Sequence, residues 1–163
     1  MPATSPPRAR TGVFQPGLLV SPPDLWSQLE SAAQRFMSDA PDIAVAWSLN
    51  VLPGLPAPRG RLALAVLSIF DQLLSNVLHH SGATQVCLRV SAHASDLTLL
   101  VKDNGRGAPP SAFDRNDAYG MHDMRQQAAQ FGGWLHIDSQ MGVGTQVILT
   151  VPLFRAQGAD PLP

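Results

Sequence analysis

The sequence predicts an α+β fold, and three observations predict it. Segments with apolar residues at every third or fourth position alternate with short segments whose apolar residues recur at every second position. Two of the short segments follow one another across a tight turn, the order of an antiparallel hairpin. Glycine or proline stands at nearly every boundary.

The elements follow in chain order. Ten of the fifteen prolines fall before residue 60, and residues 1–20 read as a flexible N-terminal tail. Ser21-Pro22-Pro23-Asp24 reads as a helix start, with Ser21 as N-cap, Pro22 in the first turn and Asp24 bonding back to the cap. Leu25, Leu29, Ala32 and Phe36 continue it at helical spacing. A first strand is expected over Ile43–Leu49, and Pro53, Gly54, Pro56 and Pro58 force a loop after it. The longest helix is expected from Gly60 to His80, with Val66, Ile69, Phe70, Leu73 and Val77 on its apolar face. Gln72, Asn76 and His80 stand four residues apart and make a polar stripe on another face. Ser81-Gly82 closes that helix.

Two strands come next, Val86–Ala92 and Leu97–Asp103, joined near Ser95-Asp96. In the second, Leu97, Leu99, Val101 and Asp103 share one face by period two. A carboxylate therefore ends a line of core residues and points inward, which is costly unless something pairs with it. A polar, proline-containing loop covers Ala108–Ala118. Met121, Met124, Ala128 and Phe131 then repeat at helical spacing, and Gly132-Gly133 ends that helix. Trp134–Ser139 and Gln146–Val151 read as the last strands, and residues 155–163 as a C-terminal tail, so the folded domain is expected over 21–154.

Composition removes several classes of function. The 163 residues suit one domain with a real core, and 45% of them are hydrophobic. The formal net charge is -1 and the arginines are spread out, so no global field recruits nucleic acid or an anionic membrane. A single cysteine, Cys87, excludes a disulfide framework and points to a reducing compartment. No apolar stretch near Met1 suits a signal peptide, and the run Leu62–Phe70 is shorter than the about 20 residues a membrane span needs. A cytoplasmic protein without membrane insertion is the expectation.

Three short motifs carry the chemistry: Asp71-Gln72-Leu73-Leu74-Ser75-Asn76 running to His79-His80-Ser81, Asp103-Asn104-Gly105-Arg106-Gly107, and Gly142-Val143-Gly144-Thr145. Each alone has a plain structural explanation. Asp-Asn-Gly is a common turn, a lone asparagine on a helix is usually solvated, and Gly-Val-Gly-Thr suits a hairpin loop. Met121 and Met124 suit core packing better than ligand contact. In this order, on a helix, a strand end and a loop, the three describe a pocket for adenine, a magnesium ion and a phosphate tail.

On these residues the chain resembles the ATP-binding domain of sensor histidine kinases, within the superfamily that also holds gyrase, Hsp90 and the MutL proteins. It is most similar to the short-lid subfamily that includes nitrate sensors, and the resemblance runs from about Leu25 to Leu153. It implies the Bergerat (GHKL) fold: a two-layer α/β sandwich whose mixed, mainly antiparallel sheet has helices packed on one face. It implies Mg–ATP as cofactor, with Asn76 as magnesium ligand, His80 beside it, and Asp103 accepting a hydrogen bond from the adenine amino group. Gly105 and Gly107 resemble the glycines that let backbone approach the base. Gly120 and Met121 resemble the second glycine box, where a helix N-terminus faces phosphate. Gly142, Gly144 and Thr145 resemble the last box, beside the adenine.

Two departures bear on activity. Kinases of this type commonly carry a glutamate general base one turn before the asparagine; here that position is Gln72, and an amide takes no proton at neutral pH. Asp71, next to it, lies about 100° round the helix. The second departure concerns the acceptor histidine. The five histidines are His79, His80, His93, His122 and His136, and none sits on a dimerisation helix. The acceptor is therefore expected on a separate domain or chain, with a response regulator as the further partner and a monomer as the state of the isolated chain. Arg106 and Arg125 are candidate phosphate neighbours or solvated surface residues. Two other readings stay open: a catalytically weak, ATP-gated interaction module, and a serine kinase of anti-sigma-factor type.

Overall fold

The computed structural model describes residues 22–113 and 120–154. Helix α1 spans Leu25–Asp39 and is capped by Asp24, whose carboxylate accepts a hydrogen bond from Ser27 N at 2.9 Å. The expected cap, Ser21, lies outside the described residues. The start falls later than expected because a residue before proline is disfavoured in helical geometry, and Pro22 precedes Pro23.

Strand β1 (Ala44–Val51) pairs in parallel with β2 (Gln85–Ala92). It runs two residues past the expected end because Asn50 and Val51 keep their partners Ser91 and Ala92. Strands β3 (Asp96–Asp103), β5 (Gly144–Pro152) and β4 (Trp134–Gln140) complete an antiparallel set, and the sheet order is β1-β2-β3-β5-β4. The sheet is thus mixed and mainly antiparallel. It carries α1, α2 (Gly60–Asn76) and α3 (Met121–Gln130) on one face. Leu88, Val90, Leu97, Leu99, Leu149 and Val151 bury that face against Leu29, Phe36, Val66, Ile69, Phe70, Leu73 and Met124. Gln85, Arg89 and Lys102 alternate to the other face and are exposed.

The long helix changes pitch where it reaches the site. Regular α-helix stops at Asn76, and Val77–Ser81 form a π-helical turn closed by Gly82 at φ 61°. Ser81 Oγ donates to Val77 O at 2.7 Å and accepts from Ala83 N at 3.0 Å, so this turn ends on its own side chain. Together Gly60–Ser81 make 22 residues, long and apolar enough to cross a membrane by length and composition. The run Leu62–Phe70 understates this because the helix continues beyond Asp71 and Gln72. In the fold, Val66, Ile69, Phe70, Leu73, Leu74 and Val77 of this helix are buried in the core.

Asn104 fastens the strand end that carries the acid. Its Oδ1 accepts from Thr84 N and Gln85 N, both at 2.9 Å, and its Nδ2 donates to Thr84 Oγ1 at 3.1 Å. Its side chain therefore serves the β2–β3 junction.

Candidate functional site

A cleft opens between the end of α2, the end of β3 and the start of β5. The end of α2 and its π turn supply Leu73, Asn76, Val77, His80 and Ser81. Val101 and Asp103 come from β3, and Thr145 and Val147 from β5. Arg106, Gly107, Ala108, Phe113 and Met121 close the remaining sides. The arrangement is amphipathic. Leu73, Val77, Val101, Val147, Phe113 and Met121 form an apolar chamber, while Asn76, His80 and Arg106 are polar.

Asp103 is the polar group inside the apolar part. It is 7% exposed, and only one other polar residue, Ser81, is buried among the described residues. Its Oδ1 accepts from Gly105 N at 2.8 Å. Burial raises its carboxyl above the ordinary value, and the N–H groups of Gly105 and Thr145 pull it partly back down. A buried carboxylate held by main-chain donors and facing a cleft is poised to accept a further hydrogen bond.

The glycines act mainly by letting main chain touch main chain. A Cβ on Gly105 would lie 2.3 Å from Ser81 O, one on Gly107 2.0 Å from Gln140 O, and one on Gly144 2.0 Å from Asp103 O. In the same region Arg106 N donates to Ser81 O at 2.8 Å, and Gly142 N to Arg106 O at 2.7 Å. Gly142 differs: at φ 77° it forms the hairpin turn with open space around it. Gly144→Ala is accordingly expected to cost about 3 kcal/mol in denaturant unfolding, from strain and overpacking together. Gly142→Ala is expected to cost about 1 kcal/mol, from its left-handed backbone alone.

The residues singled out from the sequence divide into two sets. Asn76, His80, Asp103, Gly107, Met121 and Thr145 line one cleft. Gly105, Gly142 and Gly144 stand behind it and shape its wall. Gly144 and Thr145 belong to β5 and not to a loop, because they pair with Gln140 and Ser139 of β4. Gly120 is the N-cap of α3 at φ 65°, and Gln72 Oε1 lies 3.0 Å from where its Cβ would be. Gln72 is half-buried, and its Nε2 donates to Ser68 Oγ at 3.4 Å. Asp71 faces α1, where its carboxylate is 4.0 Å from Arg35. His122 and Asp123 are exposed on the first turn of α3.

The model of the histidine kinase-, DNA gyrase B- and HSP90-like ATPases matches residues 62–155. The chain belongs to this family. Among curated relatives, the ATPase domain is 36% identical over 92 residues to the sensor histidine kinase LiaS of Bacillus subtilis, covering 56% of this chain and 25% of LiaS. It is 36% identical over 88 residues to the nitrate/nitrite sensor protein NarX of Escherichia coli, covering 54% of this chain and 14% of NarX. The chain thus spans a quarter or less of the length of these relatives. The ATP-binding domain of PrrB from Mycobacterium tuberculosis superposes with a TM-score of 0.60 at 26% identity, over 82% of this chain and 96% of that one. The histidine kinase domain of the Erythrobacter litoralis EL346 blue-light activated kinase shares the fold, with a TM-score of 0.62 at 24% identity over 80% of this chain and 61% of that one.

Sequence reasoning did not place Phe113 or Val147 in the ATPase domain's cleft, and it named Ser81 only as the end of the first motif. Val147 follows Thr145 by the same period-two rule that links Val101 to Asp103. Phe113 carried a signal of another kind, a lone aromatic in an otherwise polar loop. Ser81 contributes through its main chain, which residue type does not reveal. Among the described residues, no group of three or more His, Cys, Asp or Glu side chains could hold a metal ion. This donor set fits a magnesium ion brought with the nucleotide, because the phosphates then supply most of the oxygen ligands and one amide oxygen suffices from the protein.

Proposed function

We propose that this ATPase domain binds Mg–ATP in the cytoplasm and presents the γ-phosphate to a histidine on a separate dimerisation domain or chain of a sensor kinase, upstream of a response regulator. One observation carries the reading: a buried carboxylate, Asp103, and an amide side chain, Asn76, open onto the same cleft. In this reading Asp103 accepts from the exocyclic amino group of adenine. Leu73, Val101, Met121 and Val147 enclose the ring, and Thr145 adds a hydroxyl beside Asp103. His80 and Arg106 flank the polar end, and the first turn of α3 behind Gly120 directs free N–H groups at phosphate. A magnesium ion held by Asn76 would neutralise phosphate charge.

The transfer forms a bond between imidazole nitrogen and γ-phosphorus as the bond from phosphorus to the β–γ bridging oxygen breaks. ADP leaves with the electron pair. The imidazole proton passes to solvent water, because Gln72 is an amide and takes no proton. Asp71 is turned to Arg35. Catalysis then rests on positioning and charge neutralisation. Gln72 also favours a second reading, in which bound ATP alters a protein interface and little phosphate moves.

Titration calorimetry of the chain with Mg–ATP tests the pocket, and one-to-one saturable binding is expected. Absence of heat up to millimolar nucleotide would overturn the proposal. Label transfer from γ-labelled ATP to a separately supplied dimerisation domain then divides the two readings, and an acid-labile product identifies phosphohistidine.

A further inference from the structure

We propose that Arg125 is a positioning residue for the base end of the cleft, acting by holding Phe113 and not by touching phosphate. Arg125 Nη1 donates to Phe113 O at 3.1 Å. Phe113 N donates to Pro110 O, also at 3.1 Å, closing the short 3-10 turn Pro110–Ala112. The main chain of Phe113 is therefore tied on both sides, and Phe113, 7% exposed, lines the cleft together with Ala108 and Met121.

Helix α3 has the right geometry for this task. Met124 and Ala128 fix it to the core. Met121 and Arg125 stand four residues apart on one stripe of the helix, so the same face supplies one cleft wall and the tether for the next. Arg125 is half-buried and does not line the cleft, whereas Arg106 does. Of the two arginines open to a phosphate role, Arg125 is committed to the carbonyl of Phe113. A charged donor on a neutral carbonyl gives a strong hydrogen bond, and the guanidinium holds its N–H groups in a fixed plane.

This inference rests on the nucleotide reading and is separable from it by experiment. Calorimetry of the whole chain with Mg–ATP, Mg–ADP and AMP is compared for wild type, Arg125→Ala, Phe113→Ala and the double variant. Arg125→Ala is expected to weaken all three nucleotides by the same factor, about fivefold to tenfold. In the Phe113→Ala background the same change is expected to add less than twofold. A loss that shrinks from ATP to ADP to AMP would mark Arg125 as a phosphate ligand and overturn the inference. Additive losses, or no loss, would also overturn it. Arg125→Met, which keeps the length of the side chain without an N–H donor, supplies the same comparison if Arg125→Ala does not fold. A wild-type chain that binds none of the three sinks the nucleotide reading itself.

Discussion

Asp103→Asn is expected to weaken Mg–ATP binding by roughly 10- to 100-fold without lowering the melting temperature of the unliganded domain. Hydrogen bonds to charged groups contribute about 1.5–3 kcal/mol, and each 1.4 kcal/mol is about tenfold in affinity. The asparagine also directs a donor where the adenine amino group needs an acceptor. The stability half of the prediction comes from burial. Desolvation raises the carboxyl of Asp103 above its ordinary value in the fold, so the folded chain holds that proton more tightly than the unfolded chain does. The stability this group confers is complete below its unfolded-state value and is lost as pH rises through the raised folded-state value. Wherever Asp103 is ionised in the fold its desolvated charge opposes folding, and asparagine removes that charge. Parallel calorimetry and thermal melting check both halves. Unchanged affinity would remove Asp103 from adenine recognition, and a large fall in melting temperature would mean that its bonds from Gly105 and Thr145 outweigh its desolvation.

Gln72→Glu is expected to raise phosphotransfer to a supplied histidine domain by about 100-fold, the lower end of the roughly 10²- to 10⁴-fold that general bases contribute. The affinity for Mg–ATP is expected to stay within about twofold, because position 72 does not line the cleft. The side chain lies against Gly120 at the first turn of α3, where the helix dipole favours a negative charge. The introduced carboxylate must be deprotonated to act, so the variant's rate is expected to climb with pH through the titration of that group while the wild-type rate does not. Single-turnover labelling across pH checks this. An unchanged rate at saturating ATP would place the catalytic defect elsewhere.

Period and punctuation made most of the fold legible in the sequence. Val66, Ile69, Phe70 and Leu73 mark the buried face of α2 because 3.6-residue spacing is a property of side chains, and Leu97 to Asp103 reveals β3 for the same reason. The π turn over Val77–Ser81 was not legible, since a change of pitch leaves the local pattern almost intact. The cap of α1 moved from Ser21 to Asp24 because both residue types cap well and the intervening prolines decide between them. In the site, Asn76, His80, Asp103 and Thr145 were found as side chains. The close approaches of Gly105, Gly107 and Gly144 to Ser81, Gln140 and Asp103 are between main-chain atoms, and these appear in a sequence only as the absence of a side chain on the glycine. Arg125 was visible as a charge, but its attachment to Phe113 depends on how the helix and the loop meet.

The close main-chain approaches at Gly105, Gly107 and Gly144 imply that the grip on a ligand and the chemistry done to it can drift apart. The part of the wall that these peptide groups form keeps its shape whatever rotamers surround it. Replacements on the neighbouring helix, the amide at position 72 among them, can then silence or revive turnover while occupancy stays the same.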